Sequence, residues 1–248
     1  MVRPAPSALT SDIAAALDWW RQAGVDATYL DEPHSWLAEP EPAEPVRPAS
    51  APAPEEPPPA PARQIGGPPA QWPQGLAAFR EWWLANPSLD EGGLAPRVAP
   101  VGEAEPELMV LVAMPQEDDR DTLLSGAQGR LLDGFLQAAG LTPDRVYRAS
   151  VLPRHTPLPD WPTLAQEGLG AVIAHHVALV QPQRLLILGL NILPLCGHDP
   201  AQGPAALSFF NHEGGRVPML AEVGLERLLG NAQLRARLWR RWLDWTDG

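Results

Sequence analysis

Two adjacent carboxylates, Glu117 and Asp118, follow an apolar run and the pair Pro115–Gln116. An acid placed at a strand end can orient and activate a water for attack on a substrate. Downstream, Gly126 and Gly129 bound a short loop, and backbone N–H groups in such a loop can hold a phosphate without any special side chain. His155 follows a second apolar run, beyond the carboxyl end of a strand, where open α/β sheets gather their ligands. His212 and Glu213 form another acid–base pair in a Gly-flanked loop, which reads equally as an exposed turn. His175–His176 lie mid-helix between apolar neighbours, a setting for structural histidines more than for ligands. Cys196, beside Gly197 and His198, reads as a small buried hydrophobe as readily as a thiol nucleophile.

These residues need elements to position them. Leu108 to Gly140 passes from an apolar strand through a polar turn at Pro115 and a Gly-bounded loop into an amphipathic helix. That order is the front half of an α/β nucleotide-handling unit. Strands are predicted at Leu108–Ala113, Arg145–Leu152, Arg184–Leu188 and Arg216–Ala221. Helices are predicted at about Gly129–Ala139, Pro162–Val180, Leu190–Leu195 and Leu225–Trp245. The first and third strands are almost wholly apolar, as strands buried on both faces should be. The expected fold is a three-layer α/β/α sandwich around a central, mostly parallel four-stranded sheet.

Outside this domain, residues 1–36 form an N-terminal segment with a predicted helix over about Asp12–Ala23, capped by Thr10 or Ser11. Residues 37–71 are rich in Pro, Ala and Glu and read as an extended, disordered linker. The α/β domain then spans 72–248. The chain has 248 residues and a net charge of −12, with 18 basic residues, all of them arginine. That balance opposes strong nonspecific DNA binding, but one local basic face is enough to hold DNA. Arg227, Arg235 and Arg237, with Arg240 and Arg241, form such a run, and they serve either as DNA-backbone contacts or as the solvated face of the last helix. Trp239, Trp242 and Trp245 form a stripe on that helix, for core packing or for a protein partner. Trp19, Trp20 and Leu17 give the N-terminal helix the same two readings. One cysteine excludes internal disulfides and a cysteine-ligated zinc or iron–sulfur centre. No signal peptide or membrane span is apparent, so the expectation is a cytoplasmic protein with no membrane contact and no cofactor.

From the first strand onward the chain resembles the uracil-DNA glycosylase superfamily, most nearly the bacterial iron–sulfur type, over roughly residues 76–243. The pieces that carry the likeness are PQEDDRDTLLSGAQGRLLD, AAGLTPDRVY, ALVQPQRLLILG and VPMLAEVGLERLLGNAQLRARLW, in that order. The resemblance implies a DNA-repair hydrolase that binds DNA and excises a damaged base. It places a water-activating loop at Val112–Gln116, where only Pro115 is retained and Ala113 stands in the acid's place. Glu117 and Asp118 are the nearest substitutes. The base-stacking ring falls on Leu124, the base-reading amide on Ser150 and the intercalating loop on Gly224–Glu226. With His155, these residues make the implied base pocket, and Pro115, Gln116, Gly126 and Gly129 make the implied phosphate loop. The cluster cysteines fall near Trp82–Trp83, at Arg154 and near Leu169, none of which is cysteine. Two functions follow: a divergent glycosylase-family protein, or a catalytically silent relative serving as a DNA- or protein-binding module.

Overall fold

A computed structural model describes residues 8–22, 63–197 and 208–246. The chain divides into two units, Met1–Pro57 and Pro58–Gly248. In the first, helix α1 spans Ala8–Gln22 and leaves Ile13, Leu17, Trp19 and Trp20 exposed. It starts before the expected caps, because Ala8 and Leu9 extend the helix past Thr10 and Ser11. Most of the predicted linker and the rest of the N-terminal segment, residues 1–7 and 23–62, lie outside the described residues, as does His198.

The second unit is built on a five-stranded sheet. β1 is Leu108–Val112, β2 Val146–Ser150, β3 Leu185–Leu188, β4 Ser208–His212 and β5 Gly215–Glu222. The strands lie in the order β2-β1-β3-β5-β4. The first four are mutually parallel, with Met109 opposite both Tyr147 and Leu185, and Leu185 opposite Met219. β4 is antiparallel to β5, pairing Phe210 with Val217. The sheet is therefore mixed and five-stranded rather than four-stranded. The extra strand comes from a hairpin whose two-residue turn is Glu213–Gly214, in the Gly-flanked segment that the sequence offers as a loop or an exposed turn. Phe210 faces the core while Phe209 is half exposed, the two-residue alternation of a strand with one covered face.

Helices cover both faces. α2 (Leu76–Ala85) and α5 (Leu169–Val180) pack Phe79, Trp83, Val172 and Val177 against Met109, Tyr147 and Ile187. On the other face α3 (Ala127–Ala138), α6 (Leu225–Gly230) and α7 (Ala232–Thr246) pack Leu132, Leu228 and Trp242 against Val110, Leu186 and Leu220. Alternate residues of β1 thus serve opposite layers, which explains its unbroken apolar run.

Two predicted helices are broken. Gly168, at φ +91°, separates α4 (Trp161–Gln166) from α5, because its left-handed backbone ends one helix before the next begins. Asn231 separates α6 from α7, its side chain accepting from the N–H groups of Gln233 (2.9 Å) and Leu234 (3.2 Å) as an N-cap. The segment Leu190–Cys196 is a 3₁₀ helix, not an α-helix. Packing begins before the expected boundary at residue 72: Ile65 is fully buried, and its N–H donates to the Glu167 carbonyl at 2.8 Å.

Candidate functional site

The strand order places β2 and β3 on opposite sides of β1. The connection from β1 to β2 runs through α3 on one face, and that from β2 to β3 runs through α4 and α5 on the other. Loops leaving the strand ends therefore diverge, which opens a crevice at their carboxyl edge. A cavity of about 510 Å³ occupies it, within the size range of small-ligand sites. Its floor is apolar, formed by Val112, Ala113, Met114, Leu188 and Leu225. Polar groups enter from the sides: Gln116 and Gln128 from the loop and helix after β1, His155 from beyond β2, and Asn191 from beyond β3.

The wall after β1 is shaped by Asp119, which is 1% exposed. One carboxylate oxygen accepts the N–H groups of Gln116 and Leu124, each at 2.8 Å. The other accepts the Ser125 N–H at 2.8 Å and its hydroxyl at 2.7 Å. One side chain thus closes the loop on itself and satisfies donors that burial would otherwise strand. Leu124 consequently sits in the left-handed region at φ +61°. The predicted acids Glu117 and Asp118 line the cavity but are exposed at its rim, and their carboxylates make no hydrogen bond among the described residues.

His155 is anchored. Its Nδ1 lies 3.2 Å from the Pro115 carbonyl oxygen. A carbonyl can only accept, so Nδ1 carries the proton and donates, leaving Nε2 of the neutral ring as an acceptor. Nε2 has no partner among the described residues. Pro115 and Gln116 line the cavity.

Other predicted residues are placed elsewhere. Leu124 and Ser150 are buried, at 5% and 4% exposure, and neither lines the cavity. Leu124 belongs to the core beneath α3, and the Ser150 hydroxyl donates to the Leu152 carbonyl at 2.7 Å. Neither position offers a base a stacking surface or a reading edge. Gly129 is a packing glycine, since a Cβ there would collide with the Leu124 carbonyl oxygen. Gly126 lies against the Gln116 side chain, with its would-be Cβ 3.2 Å from Oε1.

The three DNA-backbone arginines separate. Arg235 donates to the Leu228 and Leu229 carbonyls at 2.7 and 2.9 Å, closing the end of α6. Arg237 pairs with Glu222, which is 1% exposed and also holds Arg241 at 3.0 Å. Of the three, only Arg227 is exposed with a guanidinium that makes neither a hydrogen bond nor an ion pair among the described residues. The Trp stripe folds inward, with the Phe135 ring edge-on to Trp239 at 5.8 Å and to Trp242 at 5.3 Å.

Remaining candidates are structural. His176 is stacked on Phe79 at 4.2 Å, and its Nε2 is 2.9 Å from the Tyr147 hydroxyl. Burial, with the nearby His175 and Arg80, lowers its pKa to about 3. His175 Nε2 donates to the Pro73 carbonyl at 2.7 Å. Burial pushes the Cys196 thiol up to about 12, so it is no thiolate nucleophile at neutral pH. His212 Nδ1 accepts the Gly214 N–H within the β4–β5 turn, at the edge of the sheet opposite the crevice.

The positions that the resemblance assigns to an iron–sulfur cluster do not fit one. Trp83 and Leu169 are core residues, and Arg154 shares the Asp90 carboxylate with Arg97, at 2.8 and 3.1 Å. Burial tends to raise the Asp90 pKa, yet hydrogen bonds from Arg97, Gly92 and Arg154 hold it below its ordinary value. Among the described residues, no three His, Cys, Asp or Glu side chains are grouped to hold a metal, and no helix is long and apolar enough to cross a membrane.

The structure also adds two residues that sequence reasoning missed. Asp119 had no signal beyond being one acid among several. Leu158, on the rim, had one: it is flanked by Pro157 and Pro159. No protein-family model matches the chain, and no curated protein is significantly similar to it.

Proposed function

We propose that this chain is a DNA-associated module of uracil-DNA glycosylase-like ancestry that binds a base in the strand-end crevice without cutting its glycosidic bond. One observation carries the reading: the crevice is large enough for a base, and among the described residues the carboxylates that line it, Glu117, Asp118 and Glu226, stand on the open rim. Hydrolysis needs an acid fixed beside the sugar, and a misplacement near 1 Å costs about 10²-fold. The apolar floor with the side-on groups of Gln128, His155 and Asn191 suits a planar, polar ring.

A nucleic acid's phosphates would be held by arginines that neighbour the crevice in sequence, set among the rim carboxylates Glu117, Asp118 and Glu226. Arg120, Arg130 and Arg227 are exposed, and each follows the rim or wall residues Asp118, Gln128 and Glu226 by one or two positions. Phosphate contacts of this kind would make affinity fall with salt. A second reading, residual excision through Glu117 or Asp118, has in its favour that both line the cavity.

The test combines anisotropy titration of uracil-containing single- and double-stranded oligonucleotides with an excision panel of uracil, hypoxanthine and xanthine. Salt-dependent binding without release of any base is the expected result. Turnover lost in Glu117→Gln or Asp118→Asn would establish the second reading. Absence of binding at low salt would exclude DNA and direct attention to a protein partner.

A further inference from the structure

The end of α2 and the loop that follows it line a second cavity of about 860 Å³, which shares no residue with the crevice. Asp90, Arg97 and Arg154 lie in its wall. The Nε of each arginine donates to the same Asp90 oxygen, Arg97 at 3.1 Å and Arg154 at 2.8 Å. The Nη1 groups are occupied as well. Arg97 Nη1 donates to the Asn86 carbonyl at 2.6 Å, and Arg154 Nη1 to those of Gly93 and Ala95 at 2.8 and 3.0 Å. Neither Nη2 makes a hydrogen bond among the described residues. Two guanidinium groups thus share one carboxylate. The cavity's other acid, Glu91, is paired with Arg63 at 3.0 Å. One positive charge in the wall is left without a partner, and it calls for an anion.

The two arginine side chains are only 9% and 15% exposed, so their free donors are already fixed in place and little side-chain entropy remains to be lost on binding. The rest of the lining is apolar. Leu84 is 44% exposed, Leu94 is fully exposed, and Pro87 and Pro96 stand beside them. Exposed apolar groups around anchored arginines are the make-up of a protein–protein contact. The same lining opposes a nucleic acid. It holds no aromatic ring on which a base could stack, and the Glu91 carboxylate would meet the phosphates.

We propose that this cavity docks a peptide segment of a partner protein in which an acidic residue adjoins apolar ones. The partner's aspartate or glutamate carboxylate accepts from the Nη2 groups of Arg97 and Arg154, and its apolar side chains lie on Leu84 and Leu94. A carboxylate supplies the missing negative charge through charge-assisted hydrogen bonds, and covering the two leucines removes apolar surface from water.

The test selects short random peptides displayed on phage against the full chain and measures the affinities of the enriched sequences by anisotropy. They should join Asp or Glu to Leu, Ile or Phe, and their binding should weaken as salt rises. Leu94→Ser should weaken them about tenfold with Tm unchanged, because the side chain is fully exposed. Arg154→Lys keeps the charge but loses the planar fork, and should weaken them by a similar factor. It also loosens the hold on Asp90, so Leu94→Ser is the variant that separates docking from folding. No enrichment, enrichment of basic or purely apolar sequences, or affinities unchanged in either variant overturns the proposal. Binding of oligothymidylate that both variants abolish would assign the surface to nucleic acid and overturn it equally.

Discussion

The Nδ1 of His155 lies 3.2 Å from the carbonyl oxygen of Pro115, joining the loop after β2 to the loop after β1 across the crevice. Nitrogen-15 NMR of the neutral ring should therefore show a protonated Nδ1 and a bare Nε2. The opposite tautomer would mean that the two loops are not joined this way. His155→Phe keeps a ring of similar size and should cost about 1 kcal/mol, the worth of one hydrogen bond.

Asp119 holds the loop that forms one wall. Replacing it with alanine leaves three backbone donors without their acceptor, and Asp119→Ala should destabilise the domain by about 3 kcal/mol or more in urea unfolding. Hydrogen exchange at Gln116, Leu124 and Ser125 should rise above that of the neighbouring strands. Loss of stability with no change at those three amides would place the carboxylate's role elsewhere.

Gly129 and Gly126 make a matched pair of substitutions. Gly129→Ala drives a Cβ into the Leu124 carbonyl, a backbone atom that cannot move aside alone, and should cost about 3 kcal/mol. For a domain of this size that is a fall in Tm of roughly 6–12 °C. Gly126→Ala meets only the flexible Gln116 side chain and should fall by far less. Equal effects would show that α3 can shift away from the loop.

His176 gives acid sensitivity. Its pKa is about 3 in the folded state, against about 6.5 when exposed. Between those values the unfolded chain binds the extra proton, so stability falls as pH falls. The loss from this group should approach 2 kcal/mol between pH 6.5 and pH 5. His176→Phe should flatten that limb of the stability curve. An unaltered slope in the variant would assign the acid limb to other groups.

The arginines of the last two helices should separate by experiment as they do in space. Arg227→Ala should leave Tm unchanged and reduce the salt dependence of DNA binding by about one unit of slope. Arg237→Ala removes half of the clamp on buried Glu222 and should lower stability by about 2 kcal/mol. If Arg237→Ala changed the salt slope and not Tm, it would be the phosphate contact instead.

Much of the sheet was legible because its signal is local. The apolar runs at Leu108–Val112 and Leu185–Leu188 announce strands buried on both faces, and the lengths between them suit helical crossovers. β4 was not legible, since SFFNH is short and becomes a strand only through its pairing with β5. The site was legible at Pro115, Gln116 and His155, whose places follow from strand ends. It was not legible at Leu124 and Ser150. Whether a residue after a strand faces the crevice or the core depends on how the loop closes, and Asp119 closes this one through backbone N–H groups that carry no sequence signature.

Arg154 and His155 are consecutive, yet one is bound to Asp90 and the other to Pro115. A ligand that engages the imidazole therefore meets a loop whose preceding residue is already fixed to Asp90.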